Sequence, residues 1–137
     1  MEFRKNAHSV KHAIAFPFIY LMIVPLVILD LFFTIYHIIC FPLFGIPLVK
    51  RSDYIKIDRH KLSYLKFDEK IYCAYCGYGN GLLYYCWVIA GKTEKYWCGI
   101  KHNRDDGFVE SPHHKDFLEY GNEKEFTNFV DNIEKKQ

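Results

Sequence analysis

The sequence predicts a mainly α-helical protein, with an N-terminal membrane segment followed by a small helical domain that a metal ion staples together. Three observations support this fold class. An apolar run extends over residues 13–49, three cysteines and a histidine follow the spacing C-x2-C-x21-C-x3-H, and apolar residues recur at three- and four-residue steps near the C-terminus. We therefore expect a basic flank at 1–12, a membrane segment at 13–49 and a cytosolic domain at 50–137.

Composition limits the classes of partner. Half of the 137 residues are apolar and 18% are aromatic, which is typical of a chain that meets lipid headgroups. The formal net charge of +2 is too small to indicate nucleic-acid binding, and no basic stripe interleaved with aromatic residues is present. The expected partners are the lipid bilayer and another membrane or cytosolic protein.

The apolar run holds one formal charge, Asp30, and one histidine, His37. It has no small-residue cleavage site, so it does not resemble a signal peptide. As one helix it would be roughly 55 Å long, too long for one crossing, yet it is slightly short for two. Either residues 13–39 cross once and 41–49 lie in the interface, or the run is a re-entrant hairpin bent near 25–30.

Charges on both sides of the run bear on orientation. Lysine and arginine residues precede and follow it, which favours a cytoplasmic location for both flanks and places the C-terminal domain in the cytoplasm. Asp30 and His37 are seven residues apart, so on one helix face they could pair. The alternative is that Asp30 lies near a bend that water reaches.

Several shorter elements are expected after the membrane segment. Alternation over residues 52–59 indicates a short strand or an extended linker, and a short helix should run from Leu62 toward Ile71. A second helix is expected over about 81–96. The last helix begins with a variant capping box, Asn122 and Glu125. Its inner stripe should comprise Phe126, Phe129, Val130 and Ile133.

The central prediction is a metal site formed by Cys73, Cys76, Cys98 and His102. Three thiolates and one imidazole give the closed tetrahedral shell of structural zinc, with iron or an iron–sulfur cluster as the alternative. Because a straight helix over 81–96 would separate the ligand pairs, either the helix is shorter or it breaks at Gly91, and the break is favoured. The glycines at 77, 79 and 81 are interpreted as supplying the backbone freedom of a metal-binding turn after Cys76.

Other thiols and imidazoles receive a more ordinary interpretation. Cys86 falls on the apolar face of the expected helix, so core packing is favoured over a role as a spare ligand. His113 and His114 are interpreted as exposed polar surface, with a second metal site as the alternative.

Three runs of sequence carry a family resemblance: residues 73–81, 89–94 and 96–102. Together with residues 58–65 and 117–121, they resemble an uncharacterised family of small bacterial membrane proteins over roughly residues 41–121. Gly99 stands where that family would have proline. The resemblance implies a cysteine-rich protein attached to a bacterial inner membrane, and it implies no activity.

Three functions are compatible with these features. The favoured one is a non-enzymatic, membrane-anchored protein whose zinc site stabilises a partner-binding domain. The second is an iron–sulfur or thiol redox protein, and the third is an enzyme acting on lipid-linked substrates through Asp58, Arg59 and His60. No nucleophile elbow, phosphate loop or paired carboxylates are present, so no catalytic residue is assigned.

Overall fold

The computed structural model describes residues 10–135, and this part of the chain is mainly helical, as predicted. Its α-helices are α1 (Val10–Leu21), α2 (Ile23–Leu43), α3 (Phe67–Trp97) and α4 (Glu123–Glu134). Short 3-10 helices occupy Arg51–Asp53, Arg59–Lys61 and Pro112–Asp116. The described residues contain no β-strand, only an isolated parallel bridge between Ile100 and Leu118. The chain forms two compact units, one ending at Ile89 and the other starting at Ala90.

Helices α1 and α2 follow one another with a single interruption at Met22. Together they make a 34-residue apolar helix that is long and apolar enough to cross a membrane. Pro25 falls in the first turn of α2, where its missing N–H removes no hydrogen bond within that helix, so α2 continues as one helix through Asp30. The predicted re-entrant bend near residues 25–30 is therefore wrong.

The C-terminus of α2 is closed by a glycine cap. Gly45 adopts a positive φ of 66°, and the N–H of Ile46 donates to the Phe41 carbonyl at 2.8 Å. The Gly45 N–H donates to the Pro42 carbonyl at 3.2 Å, which completes a Schellman motif. This cap turns the chain back along α2 at the point where the sequence indicated only an irregular interfacial stretch.

Residues 44–66, which we name the return segment, run back along the inner face of α2. The Val49 N–H donates to His37 Nε2 at 2.9 Å, and the Arg51 guanidinium binds both carboxylate oxygens of Asp30. Asp30 also accepts hydrogen bonds from Tyr78 and Thr34. Asp30 and His37, which could pair on one helix face, do not do so, because each side chain bonds the return segment and α3 instead.

Helix α3 is a single helix of 31 residues. At its start the Glu69 side chain accepts the Lys66 N–H at 2.9 Å, as the third residue of a capping box does. The short helix ending near Ile71, the turn at 73–81 and the separate helix at 81–96 are therefore wrong. So is the break at Gly91.

Two glycines of α3, Gly77 and Gly81, have a different role from the predicted one: they admit the return segment. A Cβ at Gly77 would lie 2.8 Å from the Lys56 carbonyl oxygen, and one at Gly81 would lie 2.6 Å from the Tyr54 carbonyl oxygen. Such distances are shorter than side chains tolerate, so only glycine lets this backbone pass so close to the helix. Asn80 also lies inside α3 and donates to the Cys76 carbonyl at 3.0 Å.

The core of the first unit lies between α2, α3 and the return segment. Tyr75 bonds the Ile19 carbonyl, Tyr78 bonds Asp30 and Tyr85 bonds His37. These contacts follow the same order along α3 as along α1 and α2. Helix α3 therefore runs parallel to the apolar helix formed by α1 and α2. The buried cluster contains Leu26, Phe41, Val49, Leu82, Tyr85, Cys86 and Ile89.

The second unit contains the end of α3 and helix α4. The capping box at the start of α4 is confirmed, because the Glu125 N–H donates to Asn122 Oδ1 at 3.2 Å and Asn122 Nδ2 donates to Glu125 Oε2 at 3.1 Å. The apolar stripe of α4 is not a buried one, since Phe126, Phe129 and Ile133 remain about half exposed.

Candidate metal centre

Three imidazoles surround the carboxylate of Glu94 on the last turns of α3. Its Oε2 lies 2.7 Å from His113 Nε2, and its Oε1 lies 3.1 Å from His114 Nε2 and 3.8 Å from His102 Nε2. All four residues belong to the second unit. One carboxylate thus meets three histidines that approach from two different loop segments.

Local backbone contacts fix these segments. The Lys101 N–H donates to the Leu118 carbonyl at 2.8 Å, and the Leu118 N–H donates to the Gly99 carbonyl at 2.7 Å. This parallel bridge holds the residues before His102 beside those that follow the 3-10 helix Pro112–Asp116. Pro112 at the start of that 3-10 helix has the fixed φ that such a turn requires.

Gly91 allows the 3-10 helix to approach α3. A Cβ at this position would lie 3.1 to 3.3 Å from three atoms of the His113 ring. Gly91 is one turn before Glu94 on the helix, so the missing side chain leaves room for the imidazole that contacts the carboxylate. The residue that we expected to break α3 therefore admits a histidine to its surface.

Aromatic packing orients the rings. His114 is only 3% exposed and stacks on the buried ring of Phe117, with the ring centroids 4.8 Å apart. His102 is more exposed, and its ring contacts Phe108 edge-on at 5.7 Å. The Nδ1 atom of His114 is buried and has no hydrogen-bond partner among residues 10–135. The site thus combines one buried imidazole with one that is accessible to solvent.

The surroundings keep Glu94 ionised. Burial by itself raises the pKa of this carboxyl, but the hydrogen bonds from His113 and His114 lower it, and the net pKa lies below its ordinary value of 4.5. The carboxylate is therefore anionic near neutral pH, which is the form that binds a cation.

The distances fit a small divalent ion. One ligand atom each from Glu94, His102 and His114 lies within 4.8 Å of the other two. Bonds of about 2.0–2.2 Å from zinc to nitrogen and oxygen place tetrahedral ligand atoms roughly 3.4 Å apart. A modest contraction of these three side chains would therefore enclose an ion.

His113 would act outside the coordination shell. Its Nε2 contacts Oε2, the carboxylate oxygen that faces away from the other two histidines. Such a contact fixes the rotation of a ligating carboxylate, as outer-shell hydrogen bonds do in metal proteins. Three protein ligands leave at least one coordination position for water or another small ligand.

The residues of the predicted four-ligand site fall in different parts of the chain. Cys73 and Cys76 lie in α3 within the first unit, whereas Cys98 and His102 belong to the second. The predicted shared ion depended on a break at Gly91, which α3 lacks. Of the four residues, His102 joins the Glu94 cluster, and the set Cys73, Cys76, Cys98 and His102 stays a prediction.

Sequence reasoning missed Glu94 and misjudged His114. The interpretation of His113 and His114 as exposed surface is wrong for His114, which is buried. Glu94, His102 and His114 are separated by seven and eleven residues, a spacing that matches no compact metal motif. The adjacent histidines His113 and His114 are the sequence feature that indicates this site, but the favoured interpretation treats them as exposed surface.

Cys86 is a core residue, in agreement with the favoured interpretation. It is 5% exposed and belongs to the buried cluster of the first unit. Burial raises the pKa of its thiol to about 11, so the thiolate that a metal would require is scarce at neutral pH.

Comparison with known proteins gives no relative: no family model, characterised protein or solved structure matches this chain. The resemblance to a bacterial membrane-protein family thus stays an expectation, and the function rests on the geometry of the chain.

Proposed function

We propose that this chain is a membrane-attached protein whose C-terminal unit binds one divalent metal ion through Glu94, His102 and His114. The observation that carries the proposal is the approach of two imidazole nitrogens to one carboxylate oxygen, at 3.1 and 3.8 Å. The membrane part rests on the apolar helix of α1 and α2.

Zinc is the ion that this ligand set favours first. Zinc binds imidazole nitrogen and carboxylate oxygen, and it accepts three protein ligands with an open fourth position. Two histidines and one carboxylate also form the facial triad of non-haem iron(II). Iron is therefore the second candidate.

The metal would stabilise the second unit. It would tie the end of α3 to the segment around His102 and to the 3-10 helix around His114, which are otherwise joined by long irregular stretches. A bound ion contributes its binding free energy to folding when the unfolded chain lacks the site. A unit stabilised in this way suits the partner-binding role that the sequence indicates, and the open coordination position gives that partner or a small anion a point of contact.

Elemental analysis and metal titration of the detergent-purified chain test the proposal. We expect one zinc per wild-type chain and a loss of affinity of more than about 100-fold in Glu94→Gln, since removing even an outer-shell partner costs 10- to 100-fold. Glu110→Gln is the matched control, because Glu110 lies in the same unit and bonds Arg104 instead.

The cysteine variants separate this site from the predicted four-residue one. If Glu94 and His114 are ligands, Cys73→Ser keeps the metal and His114→Gln loses it. Full occupancy in Glu94→Gln together with loss in Cys73→Ser and Cys98→Ser would instead favour the four-residue site. Iron with visible absorption would assign the metal to redox chemistry.

A further inference from the structure

The first unit has one entirely apolar outer face, formed by α1, α2 and the turn that follows them. Every exposed residue from Ala13 to Leu48 is apolar, counting glycine and proline. The polar side chains of this stretch, including Asp30, Thr34 and His37, are buried or half-buried and bond to the inner side. Residues such as Phe18, Leu21, Val27, Leu31, Phe32 and Ile38 are more than half exposed along the outer side.

The inner side of the same unit is charged. The return segment lies there, and between Lys50 and Lys61 it carries five basic and two acidic residues. Most of these side chains are exposed, and Lys50 is 76% exposed. The unit is therefore amphipathic as a whole.

A perpendicular crossing conflicts with this arrangement. Arg51 binds Asp30 in the middle of α2, and the Lys56 carbonyl passes Gly77, two residues after the Tyr75 that bonds Ile19 in α1. Arg51 thus lies beside α2, and Lys56 passes α3 within about 3 Å, along the helix axis, of the residue that contacts α1. A crossing would carry some of these charged residues to membrane depth, where charges are costly.

Helix length leads to the same conclusion. The 34 residues of α1 and α2 span about 51 Å, against roughly 30 Å for the hydrocarbon core. If residues 10–28 crossed with Asp30 at the headgroups, the exposed apolar face over residues 31–43 would remain in water. No placement across the bilayer satisfies both the charges and the apolar face.

We propose that α1 and α2 lie along the membrane surface, with the outer face immersed in one leaflet and the return segment in water. The occupant of this face is a lipid bilayer. An apolar face of this kind enters the headgroup and acyl boundary by about 5–10 Å, and the surplus of basic residues favours anionic headgroups. The protein is then monotopic.

Tryptophan depth measurements test the orientation. In a Trp87→Phe, Trp97→Phe background, single Phe18→Trp, Phe32→Trp and Phe44→Trp variants are reconstituted in phosphatidylcholine–phosphatidylglycerol vesicles that contain brominated lipids. Residues 32 and 44 are about 18 Å apart along the helix direction. We expect all three tryptophans at the same depth, and a depth profile that descends and rises along the chain would overturn the proposal.

Doubly tagged wild-type protein gives a test that needs no background substitutions. With a cleavable tag at each end and protease outside the vesicles, a surface-bound molecule loses both tags or neither. Molecules that lose one tag would show a crossing.

A matched pair of lysine variants tests the occupant. Ile28→Lys on the outer face should lower vesicle binding by about tenfold or more, whereas Ile57→Lys on the return segment should not. These residues have similar exposure, 52% and 45%. If wild-type chain stays in the aqueous phase as a dimer beside the vesicles, a second copy covers this face and the proposal fails.

Discussion

At the scale of single residues, Gly91 leaves room for the His113 ring beside the carboxylate of Glu94. Because glycine has no Cβ, the His113 ring can pack directly against α3, whereas an added methyl group would meet three ring atoms at 3.1 to 3.3 Å. The ring would have to move by a few tenths of an ångström, and His113 contacts the carboxylate of Glu94, which is a ligand of the proposed site.

Gly91→Ala should therefore weaken metal binding, by about tenfold, through the loss of carboxylate orientation. Isothermal titration of zinc into metal-free protein measures the change. Gly99→Ala is the control, because its Cβ would meet only the Lys95 carbonyl at an ordinary 3.7 Å. Equal zinc affinities in the two variants would show that the His113 contact does not orient the Glu94 carboxylate for metal binding.

Two cysteines of α3 should differ widely in reactivity. Burial raises the pKa of the Cys86 thiol to about 11, whereas Cys76 is exposed on the same helix. Since the thiolate is the reactive form, Cys86 should react with a maleimide at least about 100-fold more slowly than Cys76 at pH 8. Peptide mapping of labelled protein gives the two rates, and comparable rates would mean that Cys86 is accessible.

At the scale of elements, the return segment depends on glycines in α3. Gly81→Ala would place a methyl group 2.6 Å from the Tyr54 carbonyl oxygen and 2.9 Å from the Ile55 Cα, both of them backbone atoms. Although alanine is the better helix former, the clash should dominate.

We expect Gly81→Ala to lower the free energy of unfolding by about 2–4 kcal/mol, as overpacking against backbone does. Asn80→Ala, which loses only an exposed hydrogen bond to its own helix, should change that free energy by less than about 1 kcal/mol. Chemical denaturation in detergent measures both. A stabilised Gly81→Ala protein would mean that the return segment is not held against α3.

The helical elements could be predicted from the sequence where a local signal dominates. The apolar run of α2 and the Asn122–Glu125 cap of α4 depend on neighbouring residues, and both were predicted. The extent of α3 could not be predicted, because glycines at 77, 79 and 81 have the same local signature in a turn as in a helix crossed by another backbone.

The candidate site escaped prediction for a related reason. His102 was selected for its spacing from Cys98, but its contact in the structure is Glu94, which the sequence presents as an ordinary helical glutamate. The Asp30–Arg51 pair was missed likewise, since its members are 21 residues apart and belong to different elements. Such contacts depend on the path of the return segment and of residues 98–118, which no periodicity encodes.

At the scale of the whole molecule, the proposed metal site and the proposed membrane-binding face belong to different units. Glu94→Gln should abolish metal binding and leave vesicle flotation unchanged. Ile28→Lys should have the opposite pair of effects. Metal content and flotation are measured on the same preparations, and a variant that lost both properties would show that the two depend on each other.

The order in which the chain is synthesised gives the Asp30 contacts a further consequence. Asp30 is synthesised with α2, whereas its partners Arg51 and Tyr78 follow it by 21 and 48 residues. A nascent α2 thus carries an unneutralised charge among apolar side chains until its partners emerge. Ribosomes stalled before residue 51 should therefore hold α2 at the water boundary, and only the longer nascent chain can settle its apolar face into lipid.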